Sequence, residues 1–163
     1  MAQQTIIDLD AIQHDIVRAG VSYWRRLKGG RALPSRRQVL PRELAGLTRN
    51  LALVAVLDGG MDYVFRIWGQ AHVQASGFNM QGSQIRDLQR VSPVLAEAWP
   101  RLYARVIETR KPFALRSVRT LPDRGTIASE NVLLPVGKAD AVDHIMVFSV
   151  YQQVYLPRED AAG

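Results

Sequence analysis

The sequence contains no cysteine. This excludes a disulfide framework, thiolate metal sites, iron–sulfur clusters and a cysteine nucleophile, and it favours a reducing compartment. Long apolar runs are also missing: the longest, such as Leu51 to Leu57, fall far short of the roughly 20 residues that a membrane helix needs. The N-terminus has no basic start followed by an apolar stretch. We therefore expect a cytoplasmic protein that is neither exported nor membrane-spanning.

Catalytic and metal-binding motifs are absent as well. The three histidines, His14, His72 and His144, fall in separate elements without the spacing of a metal site. There is no nucleophile elbow, phosphate-binding loop or dinucleotide fingerprint. A haem iron would need an axial nitrogen, for which His72 is the candidate, but an isolated histidine is usually an ordinary polar contact. We predict no enzymatic activity, no metal and no cofactor.

What the sequence does contain is enough apolar material for one folded domain. It has 163 residues, of which 47% are hydrophobic and 22% are charged. These values are ordinary for a globular protein and exclude disorder over most of the chain.

Positive charge is concentrated in one segment. The stretch from Arg18 to Arg49 holds nine basic residues and one acid, Glu43, although the whole chain has a net charge of only +6. Such a segment is either an anion-binding surface or a solvated basic surface. Aromatic residues are not interleaved with the basic ones between Arg25 and Arg37, so we do not expect nucleic acid as the main partner. Binding of nucleotides or nucleic acid by the basic patch between Arg25 and Arg37 is one function that this segment could have, and it is the alternative to the regulatory function predicted below.

Apolar periodicity divides the chain into four parts. Apolar residues recur at helical spacing from Leu9 to Leu27, before Gly29 and Gly30, and predict an amphipathic helix within residues 1–30. Residues 31–50 are a basic loop and connector, residues 51–156 form the main domain, and residues 157–163 are a frayed tail.

The main domain alternates between strand and helix patterns. Two strands form a hairpin, short helical pieces and one longer helix follow, and three further strands close the domain. This order predicts an α+β fold with a five-stranded antiparallel sheet, helices on one face, and the N-terminal helix packed on the sheet or on a partner subunit. The predicted strands are Leu51–Leu57, Tyr63–Gly69, Phe113–Leu121, Thr126–Val136 and His144–Gln153, and the longer helix runs from Pro93 until Lys111-Pro112.

Alternation in the second strand assigns its side chains to two faces. Phe65 and Ile67 are predicted to face the middle helices, and Arg66 and Trp68 the opposite face. A tryptophan is costly to leave exposed, so we expect either the N-terminal helix or a second subunit to cover Trp68. The predicted interaction surface consists of Tyr23, Trp24, Arg25, Arg26, Arg31, Arg36, Arg37, Arg66 and Trp68.

Several of these residues also form recognisable motifs. The stretch Tyr23 to Arg36 reads YWRRLKGGRALPSR, and it is followed by Pro41-Arg42-Glu43-Leu44, by Phe65-Arg66-Ile67-Trp68-Gly69 and by the glycine pair Gly77 and Gly82. Over residues 20–153 this resembles the PAS domain family, in particular a bacterial subfamily of short, often single-domain proteins. Many relatives have threonine where this chain has Gln70.

The resemblance implies a sensory or regulatory module in bacterial signalling that acts through protein–protein contacts. It also implies a homodimer formed through the N-terminal helix, and an optional small-molecule pocket between the sheet and the middle helices. Cysteine-adduct photochemistry is excluded, because the sequence has no cysteine. The apolar residues near the pocket suit a filled core as well as an open cavity. The pocket candidates are Phe65, Ile67, His72, Phe78, Met80, Ile85, Leu133 and Val147.

Overall fold

The protein has a six-stranded antiparallel sheet with helices on both faces. The structure is a computed structural model, and it describes residues 2–121 and 124–155. The α+β class and the antiparallel sheet are confirmed, with one strand more than predicted. The strand order is β1-β4-β5-β6-β2-β3. The elements are β1 (Ala2–Ile7), α1 (Asp15–Lys28), β2 (Leu51–Leu57), β3 (Asp62–Trp68), α2 (Gln70–Ser76), α3 (Pro93–Thr109), β4 (Phe113–Leu121), β5 (Gly125–Lys138) and β6 (Ala141–Val154).

The additional strand is β1, which pairs with β4 at one edge of the sheet. Its residues show no apolar–polar alternation, so the sequence pattern gave no signal for a strand. The predicted helix, expected to start near Leu9, begins at Asp15. Between β1 and α1 the chain makes a short 3-10 turn at Leu9–Ala11.

Helix α1 covers one face of the sheet of its own chain. Its apolar stripe includes Val17, Val21 and Trp24, which are at most 5% exposed, and it lies against β5 and β6. The indole Nε1 of Trp24 donates a hydrogen bond to the carbonyl oxygen of Pro135 at 2.7 Å. Of the two predicted positions for the N-terminal helix, the structure has the one on its own sheet.

The opposite face of the sheet is covered by α2, a 3-10 segment at Ile85–Arg90, and α3. Helix α3 starts with Pro93 in its first turn, where the missing N–H of proline costs nothing. It continues through Pro100 as one helix. None of the described helices is long and apolar enough to cross a membrane.

A bulge in β3 changes which side chains face the helices. Leu53 pairs with Ile67 and Val54 pairs with Phe65, so Arg66 has no partner on β2. Phe65 and Trp68 therefore both face α3, whereas Ile67 packs against the α1 side. The predicted positions of Trp68 and Ile67 were wrong, because simple alternation does not include the extra residue.

The segment between α1 and β2 consists of short 3-10 turns at Arg36–Gln38, Pro41–Leu44 and Thr48–Asn50. Its conformation is fixed by side chains as well as by backbone. Gln38 donates from Nε2 to the carbonyl of Leu27 at 3.0 Å, which joins this connector to the end of α1. The predicted tail, residues 157–163, lies outside the described residues.

Candidate functional site: a cavity between the sheet and α3

A cavity of about 380 Å³ lies between the sheet and α3. The inward faces of β4, β5 and β6 form its floor, and side chains of α3 lie above it. This volume is at the small end of the roughly 300–1,000 Å³ range of ligand pockets. The space is therefore suited to a small molecule.

One end of the cavity is apolar and aromatic. Trp68 and Trp99 lie with their ring centroids 5.6 Å apart, and Phe65 packs edge-on against Trp68 at 5.0 Å. Leu133 and Val147 supply the floor at this end. Flat apolar groups fit such surroundings, because aromatic pairs favour edge-to-face and offset contacts.

The other end is polar, because the inward-facing positions of three strands change from apolar to polar along their length. Ser117, Ser129 and Tyr151 are neighbours across β4, β5 and β6, and Asn131 lies beside Ser149. The hydroxyls of Ser117 and Ser129 lie 2.6 Å apart, and Asn131 donates from Nδ2 to Ser129 Oγ at 2.9 Å. The sheet thus presents a row of hydrogen-bonding groups to the cavity.

His72 connects this polar row to the α2 side. Its Nε2 lies 3.1 Å from the carbonyl oxygen of Asn50, which can only accept, so Nε2 carries the proton. Its Nδ1 then accepts a hydrogen bond from the Tyr151 hydroxyl at 2.8 Å. Burial, opposed by the Asn50 bond and assisted by nearby Arg119, lowers the pKa of His72 to about 4. His72 is therefore neutral at pH 7, and haem ligation would require breaking one of these two bonds.

Arg119 is the charged side chain at the polar end. It comes from β4, is half-buried and lines the cavity. Burial lowers its pKa, with nearby Tyr151 acting in the opposite direction. No aspartate or glutamate lines the cavity within the described residues. The cavity thus has an apolar end and a positively charged polar end.

The cavity opens toward solvent at the start of α3. Val91 and Val94 line it and are 54% and 65% exposed. Apolar side chains that are both exposed and cavity-lining are expected at an entrance rather than in a sealed core. A ligand would enter between the 3-10 segment and the first turn of α3.

The predicted pocket residues fall into three groups. His72, Leu133 and Val147 line the cavity. Ile67 lies on the α1 side of the sheet. The rest pack in the apolar cluster around the cavity without lining it, namely Phe65, Phe78, Met80 and Ile85. Alternation on β4, β5 and β6, with Leu133 and Val147 as inward reference points, could have identified the missed serines, Asn131 and Arg119.

The predicted interaction residues are also divided. Tyr23 and Trp24 are about 5% exposed and belong to the core, and Trp68 lines the cavity. The arginines are on the surface: Arg36 is half-buried, and the exposed ones are Arg25, Arg26, Arg31, Arg37 and Arg66.

Several of these arginines have local structural contacts. Arg31 donates to the carbonyl of Leu27 at 2.8 Å, and Arg36 donates to the carbonyl of Val39 at 3.1 Å. Arg26 lies 3.5 Å from Glu43. Cations near the end of a helix stabilise its terminal carbonyls. Part of the basic segment therefore serves the fold of the connector.

Comparison with known proteins identifies the family. The chain matches the PAS domain family over residues 12–148. It belongs to this family. PAS domains are generally sensory modules rather than enzymes, and this agrees with the sensory module that the sequence predicted. The narrower assignment to a single-domain bacterial subfamily remains a prediction, and no curated protein matches the chain.

Two solved structures are similar to parts of this chain. One is a sensory box sensor histidine kinase from Vibrio cholerae, at 17% identity and a TM-score of 0.44, covering 73% of this chain and 93% of that chain. The other is an RNA-binding light-oxygen-voltage receptor, at 15% identity and a TM-score of 0.45, covering 92% of this chain and 38% of that chain.

No cluster of His, Asp and Glu residues suited to a metal ion occurs in the part of the chain that the structure describes.

Proposed function

We propose that this PAS domain is a regulatory module without enzymatic activity, which binds a small molecule in the cavity and reports its presence to a protein partner through α1. The observation that carries this proposal is the double role of β5. Ser129 and Asn131 face the cavity, and Glu130, the residue between them, contacts the start of α1 on the other face of the sheet. One strand thus touches both the ligand space and the helix.

Glu130 holds the start of α1 with a charged group. It is 2% exposed and accepts hydrogen bonds from the backbone N–H groups of Gln13 at 3.0 Å and His14 at 2.8 Å. Arg116 on β4 donates to it from Nε at 3.2 Å. Burial alone would raise the pKa of Glu130, but these hydrogen bonds stabilise the carboxylate and the net effect lowers it.

A ligand that hydrogen-bonds Ser129 or Asn131 competes with the bond between these two side chains. Any resulting shift of β5 changes the position of Glu130 relative to the N-terminal amides of α1. Binding can only shift such an equilibrium by its differential affinity for the two arrangements. The expected output is a change in the stability of α1 rather than a large rearrangement.

The partner would contact the exposed side of α1 and the connector after it. That surface carries Arg25, Arg26, Arg31 and Arg37, so an acidic protein surface complements it. A homodimer would also use this exposed side, because the apolar stripe of α1 is buried on its own sheet. Binding of nucleotides or nucleic acid by the same arginines is the second candidate, and a steep loss of binding with salt would distinguish it.

The test is native mass spectrometry of the protein purified from cells, followed by denaturation and identification of any released small molecule. Wild type should retain a molecule, and Ala98→Leu should not, because Ala98 lines the cavity. Ala104→Leu, the same change at an exposed position of α3, should behave like wild type. A protein that carries nothing, and whose α1 is insensitive to every cavity ligand tried, contradicts the proposal.

A further inference from the structure

We infer that the cavity selects a small molecule with one negative charge and an apolar, preferably aromatic, body, whose carboxylate pairs with the guanidinium of Arg119. This inference rests on the proposed function, since it names the class of ligand that the cavity takes. It is carried by the charge, the placement of polar groups and the shape of the cavity.

The charge of the cavity lining is +1. Arg119 is its charged member, because His72 is neutral and no acid of the described residues lines the cavity. Within residues 2–121 and 124–155, Arg119 forms no salt bridge. A partly desolvated cation without a counter-ion is unfavourable, and an anion bound beside it relieves that cost.

Arg119 differs from Arg116, which lies three residues earlier on β4 and therefore on the opposite face of the sheet. Arg116 faces the other side of the sheet and is paired with Glu130 at 3.2 Å. Arg119 lies on the cavity side with Ser117. The strand therefore supplies one arginine that is neutralised within the protein and one that faces the ligand space.

The groups around Arg119 favour a carboxylate. A guanidinium presents its N–H groups in a planar fork that matches the two oxygens of a carboxylate. The neighbouring groups are neutral: the serine hydroxyls, the amide of Asn131 and the hydroxyl of Tyr151. A doubly charged phosphate would leave a negative charge without a cationic partner in this lining, so the cavity favours a monoanion.

The apolar end defines the rest of the ligand. Trp68, Trp99, Leu102 and Leu133 line the apolar part of the same cavity as Arg119. A cavity of about 380 Å³ accommodates a fused pair of aromatic rings with a short acidic arm. Burying such a body supplies affinity at roughly 25 cal/mol per Å² of apolar surface, and the carboxylate fixes its orientation.

The experiment compares three probes that share one ring system: 1-naphthylacetate, the neutral 1-naphthylacetamide and the cationic 1-(1-naphthyl)ethylamine. Isothermal titration calorimetry with the ligand-free full chain should give at least ten-fold tighter binding of the acetate than of the amide, and the weakest binding for the amine. Arg119→Gln should reduce the affinity for the acetate to that for the amide. Lys138→Gln, which removes the same charge at an exposed position, should leave all three affinities unchanged.

The outcomes separate this inference from the proposed function. Equal binding of acetate and amide by the wild type overturns the charge selection but leaves a ligand cavity in place. Binding of none of the probes overturns the inferred ligand class, and the proposed function is contradicted as well only if native mass spectrometry finds no retained molecule. Acetate binding that persists unchanged in Arg119→Gln overturns the role of Arg119. The comparison of the three probes on the wild type remains informative even if Arg119→Gln folds poorly. Arg119→Lys keeps the charge but not the planar fork, so its affinity for the acetate should fall between those of the wild type and Arg119→Gln.

Discussion

The two faces of the sheet differ in how they are filled. On the α1 face the contact is so close that a Cβ atom added at Gly20 would lie 2.4 Å from the ring of Phe148. On the α3 face the same strands border a cavity of about 380 Å³. The first face is a close-packed core. The second face is less closely packed, and it contains the cavity and the polar side chains that line it.

The strand β5 shows the difference within a few residues. Val132, Leu134 and Val136 are completely buried on the α1 face, whereas Ser129 and Asn131 face the cavity. Strand alternation allows one segment to serve both purposes. Glu130 is the charged residue among these apolar side chains on the α1 face, and it connects the cavity-lining part of β5 to the start of α1.

Four variants or conditions test the difference between the two faces, and the largest expected effect comes first.

Acid should destabilise the folded protein, because it favours protonation of His72, which lines the cavity and is buried in its neutral form. His72 has a pKa of about 4 in the folded protein and an ordinary value of about 6.5 when unfolded. Between these values the unfolded chain binds more protons, so the free energy of unfolding should fall by about 3 kcal/mol as the pH drops from 6.5 to 4. Urea titrations across this range should show the slope for wild type and a reduced slope for His72→Leu. An identical slope in both proteins contradicts the burial of a neutral His72.

The packed face should not tolerate added volume. Gly20→Val places its side chain against the Phe148 ring, and overpacking of this kind costs about 1–3 kcal/mol. The control is Gly30→Val, because a Cβ at Gly30 has no neighbour within 4 Å. Its effect should stay within about 0.5 kcal/mol. Equal unfolding free energies for the two variants, measured by urea titration, would show that the α1 face is not tightly packed.

Loss of the Glu130 charge should loosen α1. Glu130→Gln weakens hydrogen bonds to the amides of Gln13 and His14, at a cost of about 1–2 kcal/mol. Because the folded pKa of Glu130 is lowered, its stabilisation is present above the ordinary glutamate pKa of about 4.3 and is lost as the pH falls further. Wild type and Glu130→Gln should therefore converge in stability at low pH. Glu97→Gln, at an ion pair on the surface of α3, should change stability by less than about 1 kcal/mol.

The cavity face, in contrast, should accept added volume. Ala98→Leu projects into existing space, so the free energy of unfolding should change by less than about 1 kcal/mol. The same variant should lose binding of 1-naphthylacetate. A destabilisation as large as that of Gly20→Val would mean that the cavity is not open to a leucine side chain.

The sequence was sufficient to predict the fold in most respects. Strand alternation and turn residues located five strands, and two of them, Leu51–Leu57 and Phe113–Leu121, were predicted with the bounds that the structure has. The first strand was not predictable, because Ala2–Ile7 is held by pairing with β4 rather than by a pattern of its own. Tertiary pairing is invisible to local periodicity.

The site was less predictable for two physical reasons. A bulge at Arg66 adds one residue to β3, and every assignment beyond it changes face. The polar end of the cavity is formed by residues distant in sequence, such as Ser117, Ser129 and Tyr151, which only the strand register brings together. Alternation within each strand can place these residues on the inward face, but only the register shows that they meet at one cavity.

The central claim is that occupancy of the cavity is transmitted through β5 to α1. The most direct measurement is amide hydrogen exchange of residues 13–18 with and without saturating 1-naphthylacetate, in wild type and in Glu130→Gln. The central claim predicts a change in protection at the start of α1 in wild type and a much smaller one in Glu130→Gln, with the cavity saturated by the probe in both proteins. Saturation of the cavity in wild type with no change in the exchange of these amides would contradict it.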